Sequence, residues 1–238
     1  MGRIVFGGEG LGNKLNQLYQ PTDIVLDRVT DRYIVCDSGN RRVLRWPRHT
    51  TVDRVGEILV DDIDCWGLAM DSESYLYVSD DQNNQVKRFS LDDLNTNGTI
   101  VAGGNGRGSN LDQLNDAGYI FVDEKQSVYV SDYGNHRVMK WSKGAKKGTI
   151  IAGGKGKGDG LEQLSGPMGL MVDSSGILYV AEEGNKRITS WPPFTDRSRI
   201  IIGEAAEFSS PVDLSFDHNN NLYVSDRDNH RIQRFSIR

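Results

Sequence analysis

Residues 128–141 read VYVSDYGNHRVMKW. Apolar and polar residues alternate on both sides of a Gly-Asn pair, which is the signature of two short strands joined by a tight turn. The same stretch returns as YIVCDSGNRRVLRW from Tyr33, LYVSDDQNNQVKRF from Leu76, LYVAEEGNKRITSW from Leu178 and LYVSDRDNHRIQRF from Leu222. Its acidic residue falls at Asp37, Asp80, Asp132, Glu182 and Asp226, in steps of 43, 52, 50 and 44 residues. Self-similarity at such a period marks a repeat architecture and takes precedence over any local motif.

Ahead of each hairpin lies another short strand, ending at Asp27, Asp71, Asp123, Asp173 or Asp217. Behind it, a strand such as Thr149–Ala152 runs into glycines. Four strands per repeat describe one blade, so the expected fold is an all-β propeller of five four-stranded antiparallel blades. The chain starts with a fourth-strand sequence, Arg3-Ile4-Val5-Phe6-Gly7-Gly8, and stops after a third strand. Joining its two ends gives a step of 49 residues. The N-terminal strand is therefore expected to complete the last blade, with a piece of a six-bladed propeller as the alternative. A single propeller over 1–238 follows, with the closing outer strand and loop at 1–18. Its repeats fall at about 19–63, 64–115, 116–165, 166–209 and 210–238.

The glycine stretch VAGGNGRGSNLDQL, residues 101–114, invites comparison with a phosphate cradle. The spacing fits neither the dinucleotide fingerprint nor the P-loop. Sister stretches at 5–18 and 151–164 carry different charges. Each is expected to be a crossing between blades, with Leu111 and Leu114 as anchors in the middle copy.

The net charge of −5 speaks against a wholly basic nucleic-acid footprint. No 20-residue apolar span or apolar leader core is present, so neither membrane span nor signal peptide is expected, and the compartment stays open. Asn97-Gly98-Thr99 is a glycosylation sequon, usable only in a secreted chain. Cys36 and Cys65 lack zinc spacing; two buried free thiols are expected, with a single bridge as the alternative.

The pattern YVSD-x-G-N-H-R-V-x-x-W, with GLxVD before it and TIVAGGxGxG after it, resembles the NHL repeat, particularly that of tandem NHL proteins of small invertebrates. The resemblance implies a propeller that binds proteins or, in some members, single-stranded RNA. Propeller relatives such as the peptide-amidating lyase, strictosidine synthases and lactonases are enzymes. The lyase's channel histidines have no counterpart at Thr22, Trp66, Gly118, Met168 and Val212, or at Asp23, Gly67, Tyr119, Gly169 and Asp213. No cofactor or metal is expected.

The acid of each repeat is matched five residues later by Arg42, Gln85, Arg137, Arg187 or Arg231. Asp37, Asp80, Asp132, Glu182 and Asp226 are therefore read as a structural clamp with that column. The aromatic column Trp46, Phe89, Trp141, Trp191 and Phe235 is read as packing between blades. Function is expected where blades differ. The candidate binding face comprises Trp66, Tyr119, Asp23 and Asp213 around the channel, with Arg41, Asn84, His136, Lys186 and His230 at the turn tips. The expectation is a monomeric, non-enzymatic scaffold for a protein or peptide. The alternatives are RNA binding through Arg41, Arg42, Lys186, Arg187, His230 and Arg231, and a calcium-dependent hydrolase or lyase using the channel carboxylates.

Overall fold

The computed structural model describes residues 4, 6–49, 55–92, 97–203 and 207–237. The first blade is built from β1 (Pro21–Asp27), β2 (Arg32–Asp37), β3 (Arg42–Pro47) and β4 (Glu57–Asp61). The second contains β5 (Cys65–Met70), β6 (Tyr75–Asp80), β7 (Gln85–Ser90) and β8 (Thr99–Gly103). The third contains β9 (Ala117–Val122), β10 (Val128–Asp132), β11 (Arg137–Trp141) and β12 (Thr149–Gly153). The fourth contains β13 (Pro167–Val172), β14 (Leu178–Glu182), β15 (Arg187–Trp191) and β16 (Arg199–Ile202). The fifth contains β17 (Pro211–Phe216), β18 (Asn221–Asp226) and β19 (Arg231–Ser236). Neighbouring strands within each blade are antiparallel. The innermost strands pack in series, β1 on β5, β5 on β9, β9 on β13 and β13 on β17.

Alternation along each strand places one apolar row on either face, so the core lies between blades. Ile34 and Val43 of the first blade meet Leu68, Leu76, Val78 and Phe89 of the second. Ala69, Tyr77 and Val86 meet Ile120, Val130, Met139 and Trp141. Each large side chain fully withdrawn from water in these seams stabilises by about 1.5–3 kcal/mol.

The fifth sheet has three strands among the described residues. Of the expected closing strand, Arg3–Gly8, residues 3 and 5 lie outside the described residues, and residues 4 and 6–8 are not in a strand. Phe6 lies in a stack with Trp46, on the face of blade 1. Gly103 and Gly153 sit close against the carbonyls of Asn84 and His136, whereas Gly7 meets only Leu18. On β19, Ile232 is 71% exposed.

The repeated acid and arginine meet at the end of each hairpin. In blade 3, Arg137 Nε donates to Asp132 at 2.6 Å. Its Nη1 and Nη2 donate to the carbonyls of Ser109, Asn110 and Gln113 in the preceding glycine loop, at 2.8, 3.1 and 3.2 Å. Arg42 and Arg187 repeat this on Asn13, Lys14 and Gln17, and on Asp159, Gly160 and Gln163. Blade 2 explains its own exception. Only residues 62–64 separate β4 from β5, so no long crossing loop presents carbonyls to this position, and Gln85 donates to Asp80 at 2.9 Å.

The tight turn and the glycine crossing each differ in one detail from what the pattern suggests. Gly134 does not supply the left-handed turn residue; His136 does, with φ of 52°. A Cβ at Gly134 would lie 2.3 Å from the Asn115 side-chain amide, which would have to shift. Leu111 is exposed, while Leu114 is fully buried. The Leu111 anchor is instead its carbonyl, which accepts the Gly148 N–H at 2.7 Å.

The free-thiol expectation is corrected as well. Cys36 and Cys65 form a disulfide between β2 and β5, with Cα atoms 5.8 Å apart. Blade stacking brings together a second-strand and an innermost-strand position separated by 29 residues, which linear spacing does not reveal.

The clamp generates a graded expectation. Replacing Arg137 by Ala strands a fully buried carboxylate and should cost about 3–5 kcal/mol, read from urea unfolding. Arg231, whose side chain is 46% exposed, serves Asp226 alongside Asn229 and the Ser209 and Ser210 N–H groups. Its replacement by Ala should cost about 1 kcal/mol or less.

Candidate functional site

The inner strands bring one residue from each blade to the channel. Gly67 and Gly169 lie so close to the next strand that a Cβ would fall 2.9 Å from the Tyr119 Cα and 2.6 Å from the Asp213 Cα. That leaves Asp23, Tyr119 and Asp213 as the side chains of this level. Asp23 accepts the N–H of Ile24 and, across the blade boundary, that of Leu68, both at 2.7 Å. Asp213 accepts the Leu214 N–H at 2.8 Å. The Tyr119 hydroxyl donates to the Thr22 carbonyl at 3.4 Å, joining the third blade to the first.

Neither carboxylate has an ion-pair partner among the described residues, unlike the clamp acids of blades 1, 3, 4 and 5. Burial, reinforced by the charge of Asp213, raises Asp23 to about 7 despite its two N–H donors. Burial raises Asp213 to about 6. The Tyr119 hydroxyl is likewise pushed up, by burial and then by the two aspartates. Trp66 is half-buried, and its indole N–H is buried without an acceptor among the described residues.

The turn tips divide into two groups. Lys186 and His230 are exposed. Arg41 is held by Asp62 at 2.9 Å and donates to Gln82 at 2.7 Å. Asn84, expected on the surface, is 7% exposed and accepts the Asp116 N–H at 2.8 Å. His136 is also used at a blade joint, its Nδ1 accepting the Gly166 N–H at 3.2 Å. Burial holds its imidazole below the ordinary histidine range, with the charge of Lys157 adding to the effect. These joint roles were missed because the N–H groups concerned lie about 30 residues away; only the equivalence of Asn84 and His136 in the repeat hinted at them.

Arg107, the cation of the glycine stretch, bonds Asn115 and pairs with Asp116 at 3.0 Å. Its guanidinium thus has an internal anion. Among the described residues no three His, Cys, Asp or Glu side chains are grouped as metal ligands. No helix among them is long and apolar enough to cross a membrane.

A series of four-stranded blades around a channel defines a β-propeller. The family model of the NHL repeat matches residues 208–235, in the fifth blade, so this propeller carries an NHL repeat there. No curated protein matches the sequence. Among solved structures it is similar to a chain of a nidogen/laminin complex, with TM-score 0.70 and 16% identity over 91% of this chain and 75% of that one. A gluconolactonase from Xanthomonas campestris gives TM-score 0.70 and 16% identity over 90% of this chain and 72% of that one. A streptogramin B lyase gives 0.59 and 10%, over 92% and 69%. Likeness at these identities concerns the fold alone, and the three differ in what they do.

The raised carboxylates make a pH-dependent expectation. A folded-state value above the unfolded one means the fold holds the proton more tightly, so stability falls as pH rises from about 4 through 6 to 7. Asp213→Asn keeps an acceptor for Leu214. It should match the parent at pH 4 and exceed its stability at pH 8 by about 1–2 kcal/mol, by urea titration at each pH.

Proposed function

We propose that this propeller is a non-enzymatic binding module that offers its loop face and channel mouth to a protein or peptide. The observation that carries the reading is the division of labour on that face. Behind each turn the acid and its partner are bound to one another, while the tips differ from blade to blade. Exposed Lys186 and His230, beside the Arg227–Asp228 pair, provide the mixed polar rim that suits a protein interface. RNA is less well supported, because Arg42 and Arg187 are buried in clamps and Arg41 is paired.

One observation favours a hydrolase or lyase instead: two channel carboxylates with values near neutrality, suited to proton transfer. The test therefore has two arms. A protein retained by the immobilised chain should be lost with Lys186→Glu/His230→Glu and kept with the outer-strand control Ile150→Ser. Turnover of lactones, esters or peptidyl hydroxyglycines that disappears in Asp213→Asn overturns the binding reading.

We also propose that residues 3–7 complete the fifth blade. Support comes from the match of Arg3–Gly8 to Thr99–Gly104 and from Phe6 packing on Trp46. Deleting residues 1–7 should then speed hydrogen exchange across β19. Unchanged exchange there rules the pairing out.

A further inference from the structure

Between blades 2 and 3 the loop face opens into a cleft of about 470 Å³, lined by Asp81, Asn83, Asn84, Gly106, Arg107 and Asp116 among others. Its floor holds an oddity. Asp81 Oδ1 is buried and has no hydrogen-bond partner among the described residues. An unmet buried acceptor costs about 1–3 kcal/mol, and more when it carries charge.

The repeat supplies an internal control. Glu183 occupies the same position in blade 4, one residue after the clamp acid. It receives the Tyr133 hydroxyl at 3.1 Å, the Ser210 hydroxyl at 3.0 Å and the Arg227 guanidinium at 2.7 Å. At the joint between blades 2 and 3, Asp116 stands where Ser210 stands, and Tyr133 where Arg227 stands. The tyrosine hydroxyl is turned to Glu183. Asp81 therefore meets a second acid in place of a hydroxyl, and a tyrosine turned elsewhere in place of an arginine.

A separate feature adds to the same imbalance. Blade 2 is the blade whose buried clamp acid, Asp80, is bonded to a neutral glutamine. Arg107 offsets part of the charge but is paired with Asp116. Burial raises Asp81 to about 6, with Asp116 and Asp64 adding to the effect.

Resting on the protein-binding reading above, we infer that this cleft receives one positively charged side chain, a guanidinium or ammonium group, from the bound polypeptide, with Asp81 as its counter-ion. Such a group brings its own N–H donors, and the half-buried Asp81 carboxylate has no donor or ion-pair partner among the described residues. A metal ion would need several free oxygens. The side-chain oxygens of Gln82 and Asn84 are already taken by Arg41 and the Asp116 N–H, and Asp116 is held by Arg107. The surrounding excess of acid would also draw a cation toward the cleft.

The test uses the full chain with Nα-acetyl-arginine amide and Nα-acetyl-lysine amide as probes, and Nα-acetyl-norleucine amide as the neutral control. Backbone amide shifts over residues 81–84 and 106–107 report binding. A charged probe should saturate these shifts where the norleucine probe does not. Asp81→Asn should weaken it by roughly tenfold or more, while Asp228→Asn, an exposed acid elsewhere on the face, leaves it unchanged. Thermal unfolding confirms that each variant is folded. Absence of saturation, equal affinity in Asp81→Asn, or displacement of the probe by calcium chloride overturns the inference. The loop-face reading then stands or falls separately, on Lys186 and His230.

Discussion

A buried carboxylate bound to a guanidinium that also grips three carbonyls is the interaction on which the other parts of this propeller depend. Taking Asp37, Asp132 or Glu182 fully out of water is costly, and a bare ion pair at that depth often only breaks even. Here the arginine reaches across to the preceding loop and the Asn three residues after the acid donates to it. Every charged atom therefore has a partner. The hairpin end, the crossing loop and the seam between two blades are thus held at one point.

Much of this was legible in sequence because a repeat displays its constraints several times over. Asp132 with Arg137 is a pair of residues; an acid with an arginine in four blades, and with Gln85 in blade 2, is a structural rule and an exception. The exception could not be understood until the three-residue connection at 62–64 was placed beside the long glycine loops. The disulfide, the burial of Asn84 and the orphaned Asp81 oxygen were not legible. Each arises from contact between neighbouring blades, and sequence periodicity orders residues within a blade but is silent on which blade faces meet which atoms.

The positions that vary are as informative as those that recur. At the channel, glycines at 67 and 169 allow close approach of the next strand and leave Asp23, Tyr119 and Asp213 as the polar lining. At the blade joints, equivalent positions carry hydroxyl, acid or arginine, and where they agree the joint is internally satisfied. Where they conflict, charge is left over on the loop face. A repeat fold that is saturated by its own contacts has few sites to offer a partner, and those few are its mismatches.

The arginine grip also defines what could be moved as a unit. Because Arg137 and Arg187 hold the loop that precedes their own blade, a sheet cut out at its strand boundaries would leave its guanidinium facing missing carbonyls. The transplantable module runs from the glycine crossing through the third strand and trades its fourth strand to the next module. Blade 2 alone among these escapes that arrangement, having no long crossing to carry. Its seam with blade 1 contains a covalent sulfur bond instead, so its integrity follows the redox state of the surroundings. A chain assembled by duplicating such modules would inherit an oxidation-dependent joint only if blades 1 and 2 were copied together.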